Sequence, residues 1–116
     1  MDWNKINSKK VDKPWGYEIH WAKTDKYVGK LLFIKAGQRL SKQYHETKEE
    51  TVFVLKGPLL NYDENDKVTE IYAGDSFHVK VGQIHRFGAA DTNVELIEVS
   101  TPELEDVVRL EDDYNR

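Results

Sequence analysis

The chain of 116 residues has no cysteine, which excludes disulfides and removes thiolates from any metal site. It also has no long apolar run. The longest, "LLFI" and "VFVL", fall far short of a bilayer's thickness, so no membrane partner is expected. The opening "MDWNKINSKK" lacks the apolar stretch of a secretory signal, and a cytoplasmic setting is the expectation. A basic block is missing too. Seventeen Lys and Arg stand against twenty-one Asp and Glu, for a formal charge of −4. Phosphate backbones call for a clustered positive surface, so nucleic acid is not expected as a partner. There is no repeat, low-complexity tract or linker, and the length suits a single domain over residues 1–116.

What recurs is a short β-type run followed by a turn. In "WGYEIHWA" the residues Trp15, Tyr17, Ile19 and Trp21 alternate with Glu18 and His20, which predicts a strand with its aromatics on one face. "YVGKLLFIKAG", "LSKQYH" and "ETVFVLKG" read as further strands. "PLLNY" and "VTEIYAGD" flank a "DEND" hairpin turn, because Asp and Asn tolerate left-handed backbone. "DSFHVKVGQIHRFGAA" gives two short strands broken at Gly82, and "NVELIEVST" closes the series. Only the segment from Glu103 to Asp112 could hold a helical turn. Eight or nine short strands with glycine at the corners predict an all-β, small antiparallel sandwich or barrel.

Gln43 and His45 are two apart and share one side of a strand. After four residues, Glu50 leads Val52 and Val54 along the next strand, and His85 follows the Gly82 turn. An amide oxygen, two imidazoles and a carboxylate form a sensible sphere for one divalent cation with open positions. Zn is the ion expected, and Mn, Fe, Ni and Co also suit these donors.

"GQRLSKQYHETKEETVFVLKG" resembles the first cupin motif on Gly37, His45, Glu50 and Gly57, with Gln43 in place of the first histidine. "GDSFHVKVGQIHRFGA" resembles the second on Gly74, Gly82 and His85, with Lys80 for its proline and Ala89 for its asparagine. "KPWGYE", the Gln-variant motif and the tail "EVSTPELEDVVRLEDDYNR" resemble the cupin domain of type II mannose-6-phosphate isomerases over nearly the whole chain. The resemblance implies a double-stranded β-helix, or jelly-roll barrel.

It also implies aldose–ketose isomerisation of a sugar phosphate, mannose 6-phosphate to fructose 6-phosphate. Such a reaction needs a Lewis acid for the enediolate and a base near C1 and C2. His78 is the candidate base, with a place on the outer face or in a dimer interface as its other reading. Lys48 stands where the family carries an arginine, and Arg109 lies in the matching tail. Lys30, Arg86 and Arg116 are further cations for the phosphate. Two other functions fit the same pocket: an Fe-dependent dioxygenase-type cupin, and a non-catalytic sugar or metabolite binder. The aromatics of "WGYEIHWA" exceed what one small barrel can cover, so a homodimer is expected, with Trp3 a candidate contributor.

Overall fold

The computed structural model describes residues 4–116; Trp3 lies outside them. Among the described residues there are eleven strands and no helix. The strands are β1 (Lys9–Lys13), β2 (Gly16–Lys23), β3 (Val28–Ile34), β4 (Lys42–Tyr44), β5 (Glu50–Lys56), β6 (Leu59–Tyr62), β7 (Val68–Ile71), β8 (Ser76–Val79), β9 (Arg86–Gly88), β10 (Val94–Ser100) and β11 (Val108–Glu111). Six form one antiparallel sheet in the order β1-β2-β3-β10-β5-β8, and β7-β6-β9 and β11-β4 make the facing layer. Isolated bridges at Arg39–Gly88 and Gln43–His85 join β4 and its approach to β9. The "DEND" turn closes the β6–β7 hairpin, with Asp66 at a φ of 63°.

Two segments depart from expectation. The polar run Lys9–Lys13 is an edge strand on β2, and its lysines and aspartate suit an open edge. The segment from Glu103 to Asp112 contains no helix. Its second half is β11, because the backbone finds partners on β4, with Val108 opposite Tyr44 and Arg109 opposite Gln43.

The core draws on both layers. Trp15, Leu32, Ile34, Val52, Val54, Val94 and Leu96 of the large sheet meet Leu40, Leu59, Ile71 and Phe87 of the other. Truncating Leu32 or Leu96 to Ala in such a core costs about 2–5 kcal/mol. Strand geometry then sets the position of the site. Side chains alternate between faces, so the inward row of β10 is Val94, Leu96, Glu98 and Ser100. Across the register Leu96 faces Leu32 of β3, and one step on Glu98 faces Lys30. On β2, Glu18 lies opposite Leu32, and His20 opposite Lys30. The inward row of β5 runs Val54, Val52, Glu50 in the same sense. Every central strand therefore turns its inner row from hydrocarbon to charge at the same end of the sandwich.

The aromatic face of "WGYEIHWA" is consequently divided. Trp15 is in the core, but Tyr17 stacks on Phe33 across the outer face, with ring centroids 4.9 Å apart. Glu18 and His20 point inward instead. A bulge gives β2 one extra residue, Trp21, between the His20–Lys30 and Ala22–Gly29 pairs. Its ring covers Gly29 so closely that a Cβ there would lie 2.5 Å from it.

Candidate metal centre and cavity

The charged end of the sandwich holds a cavity of about 720 Å³. The large sheet lines it with Glu18, His20, Lys30, Glu50 and Glu98, β4 and the residue after it with Gln43 and His45, and Lys48 lines it as well. Leu104, Glu105, Val107, Arg109 and Arg116 contribute from the C-terminal strap.

The donor set is fixed by backbone as much as by packing. Gln43 and His85 exchange both main-chain hydrogen bonds, at 3.0 and 2.9 Å. The Gly82 amide donates to the His45 carbonyl at 2.9 Å. Gly82 has a φ of 78°, a left-handed turn that glycine adopts without strain. His45 Nε2 and His85 Nε2 both approach Glu50 Oε1, at 3.3 and 3.2 Å. One donor atom from each of the three buried residues lies within 4.8 Å of the others. The imidazole centroids are 5.1 Å apart, tilted by 52°.

Each imidazole has its second nitrogen on a carbonyl: His45 Nδ1 on Asp106 O at 2.6 Å, and His85 Nδ1 on Gln83 O at 3.0 Å. With Nδ1–H donating, each Nε2 keeps a lone pair directed at the cluster, the arrangement found behind metal-bound histidines. His85 Nε2 is fully buried and makes no hydrogen bond, an orphan that a cation would satisfy. Two imidazoles and one carboxylate, with Gln43 lining the same cavity, fit a divalent ion with open positions.

The charges around the donors are paired. Lys48 Nζ lies 3.1 Å from Glu50 and 3.5 Å from Glu98, all three buried. Burial alone would push the Glu50 carboxyl up, but the adjoining His45 and His85 rings and the charge of Lys48 hold it well below the usual range. Burial pushes Glu98 up to about 8, with the Glu50 charge adding to it and Lys48 and Lys30 opposing. Glu98 thus keeps its proton at neutral pH while Glu50 does not. Burial works against the charge on Lys48, but Glu98 and Glu50 outweigh it and its pKa is raised. On β2, Glu18 accepts from His20 Nε2 at 2.8 Å and pairs with Lys30 Nζ at 3.3 Å. Burial pushes the Glu18 carboxyl up, and Lys30, His20 and Lys13 together bring it below its ordinary value.

The structure gathers His45, Glu50 and His85, pairs the Gln43 main chain with His85, and brings Gln43, Lys48, Lys30, Arg109 and Arg116 to the cavity wall. His78 and Arg86 lie elsewhere. His78 is opposite Thr51 on the outward row of β8, exposed and 2.5 Å from Glu49. This is the outer-face reading, because Phe77 and Val79 take the inward positions. Arg86 donates to Leu40 O at 2.8 Å and to Asp113 Oδ1 at 3.0 Å, in a separate cleft with Arg39, Glu111 and Asp112. It fastens the tail and does not face the cavity. Glu18, His20, Glu98 and Asp106 are the site residues that sequence reasoning missed.

Two facing antiparallel layers, with a His–Glu–His group at the charged end of the sandwich, define a cupin, the double-stranded β-helix class. The chain belongs to the mannose-6-phosphate isomerase C-terminal family, which it matches over residues 2–112. It is 30% identical over 112 residues to the xanthan biosynthesis protein XanB of Xanthomonas campestris pv. campestris, covering 93% of this chain and 24% of that one. It is 28% identical over 105 residues to a mannose-1-phosphate guanylyltransferase of Sinorhizobium fredii, covering 87% of this chain and 20% of that one. The chain therefore spans a quarter or less of the length of these curated relatives. A solved structure of a conserved Klebsiella pneumoniae protein with a double-stranded β-helix domain superposes with a TM-score of 0.72 at 23% identity, over 88% of this chain and 86% of that one. No helix among the described residues is long and apolar enough to cross a membrane.

Proposed function

We propose that this cupin binds one divalent ion through His45, Glu50 and His85, with Gln43 beside them, and isomerises a sugar phosphate between aldose and ketose forms. The observation that carries the reading is the buried His45–Glu50–His85 group at a cavity that titratable and cationic side chains also line. The family supports a role in sugar metabolism. When bound, the ion would supply Lewis-acid polarisation of a carbonyl.

The remaining work falls to side chains. In the forward reaction a proton leaves C2 and is returned to C1, while the hydroxyl proton passes from O2 to O1, so no external oxidant or reductant is needed. The base expected at His78 has to lie on the cavity wall, and the Glu18–His20 pair, joined at 2.8 Å, is the titratable pair there away from the ligands. Lys48, held between two carboxylates, keeps Glu50 ionised and does not serve as a base. Arg109 makes no ion pair among the described residues and offers its guanidinium donors to a phosphate, whereas Arg116 is already paired with Asp112 at 2.8 Å. Lys30 holds Glu18 in place.

The test is conversion of mannose 6-phosphate to fructose 6-phosphate by the purified, metal-loaded protein, followed by NMR in deuterated water. The expected result is turnover with deuterium entering at the reacting carbon. Tight binding of hexose phosphates without any turnover would retire the isomerase in favour of a non-catalytic binder. Oxygen uptake on adding Fe(II) would favour the dioxygenase.

We further propose a cytoplasmic homodimer. The outward row Ile19, Leu31, Ile97 and Phe53 runs unbroken across four strands, flanked by Phe33, Leu55 and Val99. Phe53, Leu55 and Val99 are exposed, and a second copy presenting the same row is the occupant that covers it symmetrically.

A further inference from the structure

We propose that Asp106 is a positioning residue for the metal centre: it latches the C-terminal strap to the loop before β5, so that cation affinity and closure of the cavity roof form one equilibrium. The inference rests on the metal-binding reading above and adds a residue that no ligand motif contains.

The geometry is two-sided. The Asp106 carboxylate accepts the amides of Glu46, Thr47 and Lys48 at 3.0, 2.7 and 2.9 Å, and the Thr47 hydroxyl at 2.9 Å. The carbonyl of the same residue accepts His45 Nδ1 at 2.6 Å. One side chain thus binds the loop that runs from His45 to Glu50, while its own main chain sets the tautomer and ring plane of His45.

The two histidines differ in this respect. His85 takes its orienting carbonyl from Gln83, two residues away on the same turn. His45 borrows its carbonyl from a segment 61 residues distant. That segment also carries Leu104, Glu105, Val107 and Arg109 to the cavity wall. If the strap lifts, Nδ1 loses its acceptor and Nε2 loses its fixed lone pair, so the cation binds the closed form better. By linkage the cation then favours closure by the same factor. Loss of an orienting partner of a ligating histidine typically weakens metal binding ~10–100-fold.

The test compares the full chain with Asp106→Ala and Asp106→Asn. Zn(II) affinity is measured by chelator competition, and hydrogen exchange of the strap peptide spanning 104–111 is followed with and without Zn(II). The expected results are ~10–100-fold weaker Zn(II) binding in Asp106→Ala, a smaller loss in Asp106→Asn, and Zn(II)-dependent slowing of strap exchange in the wild type that His45→Ala abolishes. Wild-type affinity in both Asp106 variants, or strap exchange indifferent to Zn(II), would overturn the latch while leaving the metal centre standing. Should Asp106→Ala fail to fold, Asp106→Asn and the wild-type exchange measurement still decide. A wild-type protein that takes up no Zn(II) would overturn the metal reading and the latch together.

Discussion

Glu98 and Lys30 stand opposite each other on β10 and β3, one inward step beyond the Leu96–Leu32 pair. Across that step the interior of the sandwich changes from hydrocarbon to charge. Glu98 is held up to about 8 by burial first and the Glu50 charge second, so the folded protein carries a proton that the unfolded chain has released. Between the ordinary carboxyl value and about 8, folding stability falls as pH rises, with the slope of about one proton. Urea titrations of metal-free protein across pH 5–8 are expected to show this slope, and Glu98→Gln is expected to flatten it.

Lys48 is buried between Glu50 and Glu98. Lys48→Met removes the cation and leaves the ionised Glu50 buried without it, a change that costs about 3–5 kcal/mol for a buried pair. Pairing it with Glu98→Gln replaces the neighbouring acid with an amide. The double variant is expected to recover part of the loss in urea unfolding, and strict additivity would show that the three groups do not act as a unit.

Elemental analysis of protein as purified checks the donor set. His45→Ala and His85→Ala are each expected to abolish stoichiometric metal, because each removes one of three converging donors. His78→Ala, on the outer face, is expected to leave metal content unchanged.

Arg109 lines the cavity and is exposed. Arg109→Ala is expected to weaken binding of a hexose 6-phosphate roughly 10–100-fold, the worth of a charge-assisted hydrogen bond. It is expected to leave the unphosphorylated hexose unaffected. Calorimetry with both sugars makes the comparison, and equal losses for the two would remove Arg109 from the phosphate.

A charge in the middle of the outer row tests the dimer. Phe53→Glu is expected to turn a dimeric species into a monomer in light scattering, with the metal site intact. A wild-type protein that is monomeric at high concentration would dismiss the pairing.

The His–Glu–His group was legible because glycine-bounded spacing places His45, Glu50 and His85 without reference to the rest of the chain. The Glu18, His20 and Glu98 lining of the cavity was not. On β2, Tyr17 and Ile19 are more apolar than Glu18 and His20, and alternation alone turns the wrong face inward. The large sheet is apolar on both sides, with Leu31, Phe33, Ile97 and Phe53 outside and Leu32, Ile34, Leu96 and Val52 within. Hydrophobic period therefore reports a strand but not its inner face. Glu98 is hidden for the same reason in "VELIEVS". Asp106 left no local signal, since it acts on main-chain amides 58–60 residues away. The tail's composition allowed a helical turn, and only the free edge of β4 made it a strand.

The two-bond bridge between Gln43 and His85 has a mechanical consequence. It crosses from β4 to the start of β9 within the donor set itself, so a bound cation would rivet the seam where these segments meet. Stripping it would slacken that seam before either sheet, and the earliest opening of the fold on warming would begin beside the ligands while the hydrocarbon end stayed shut.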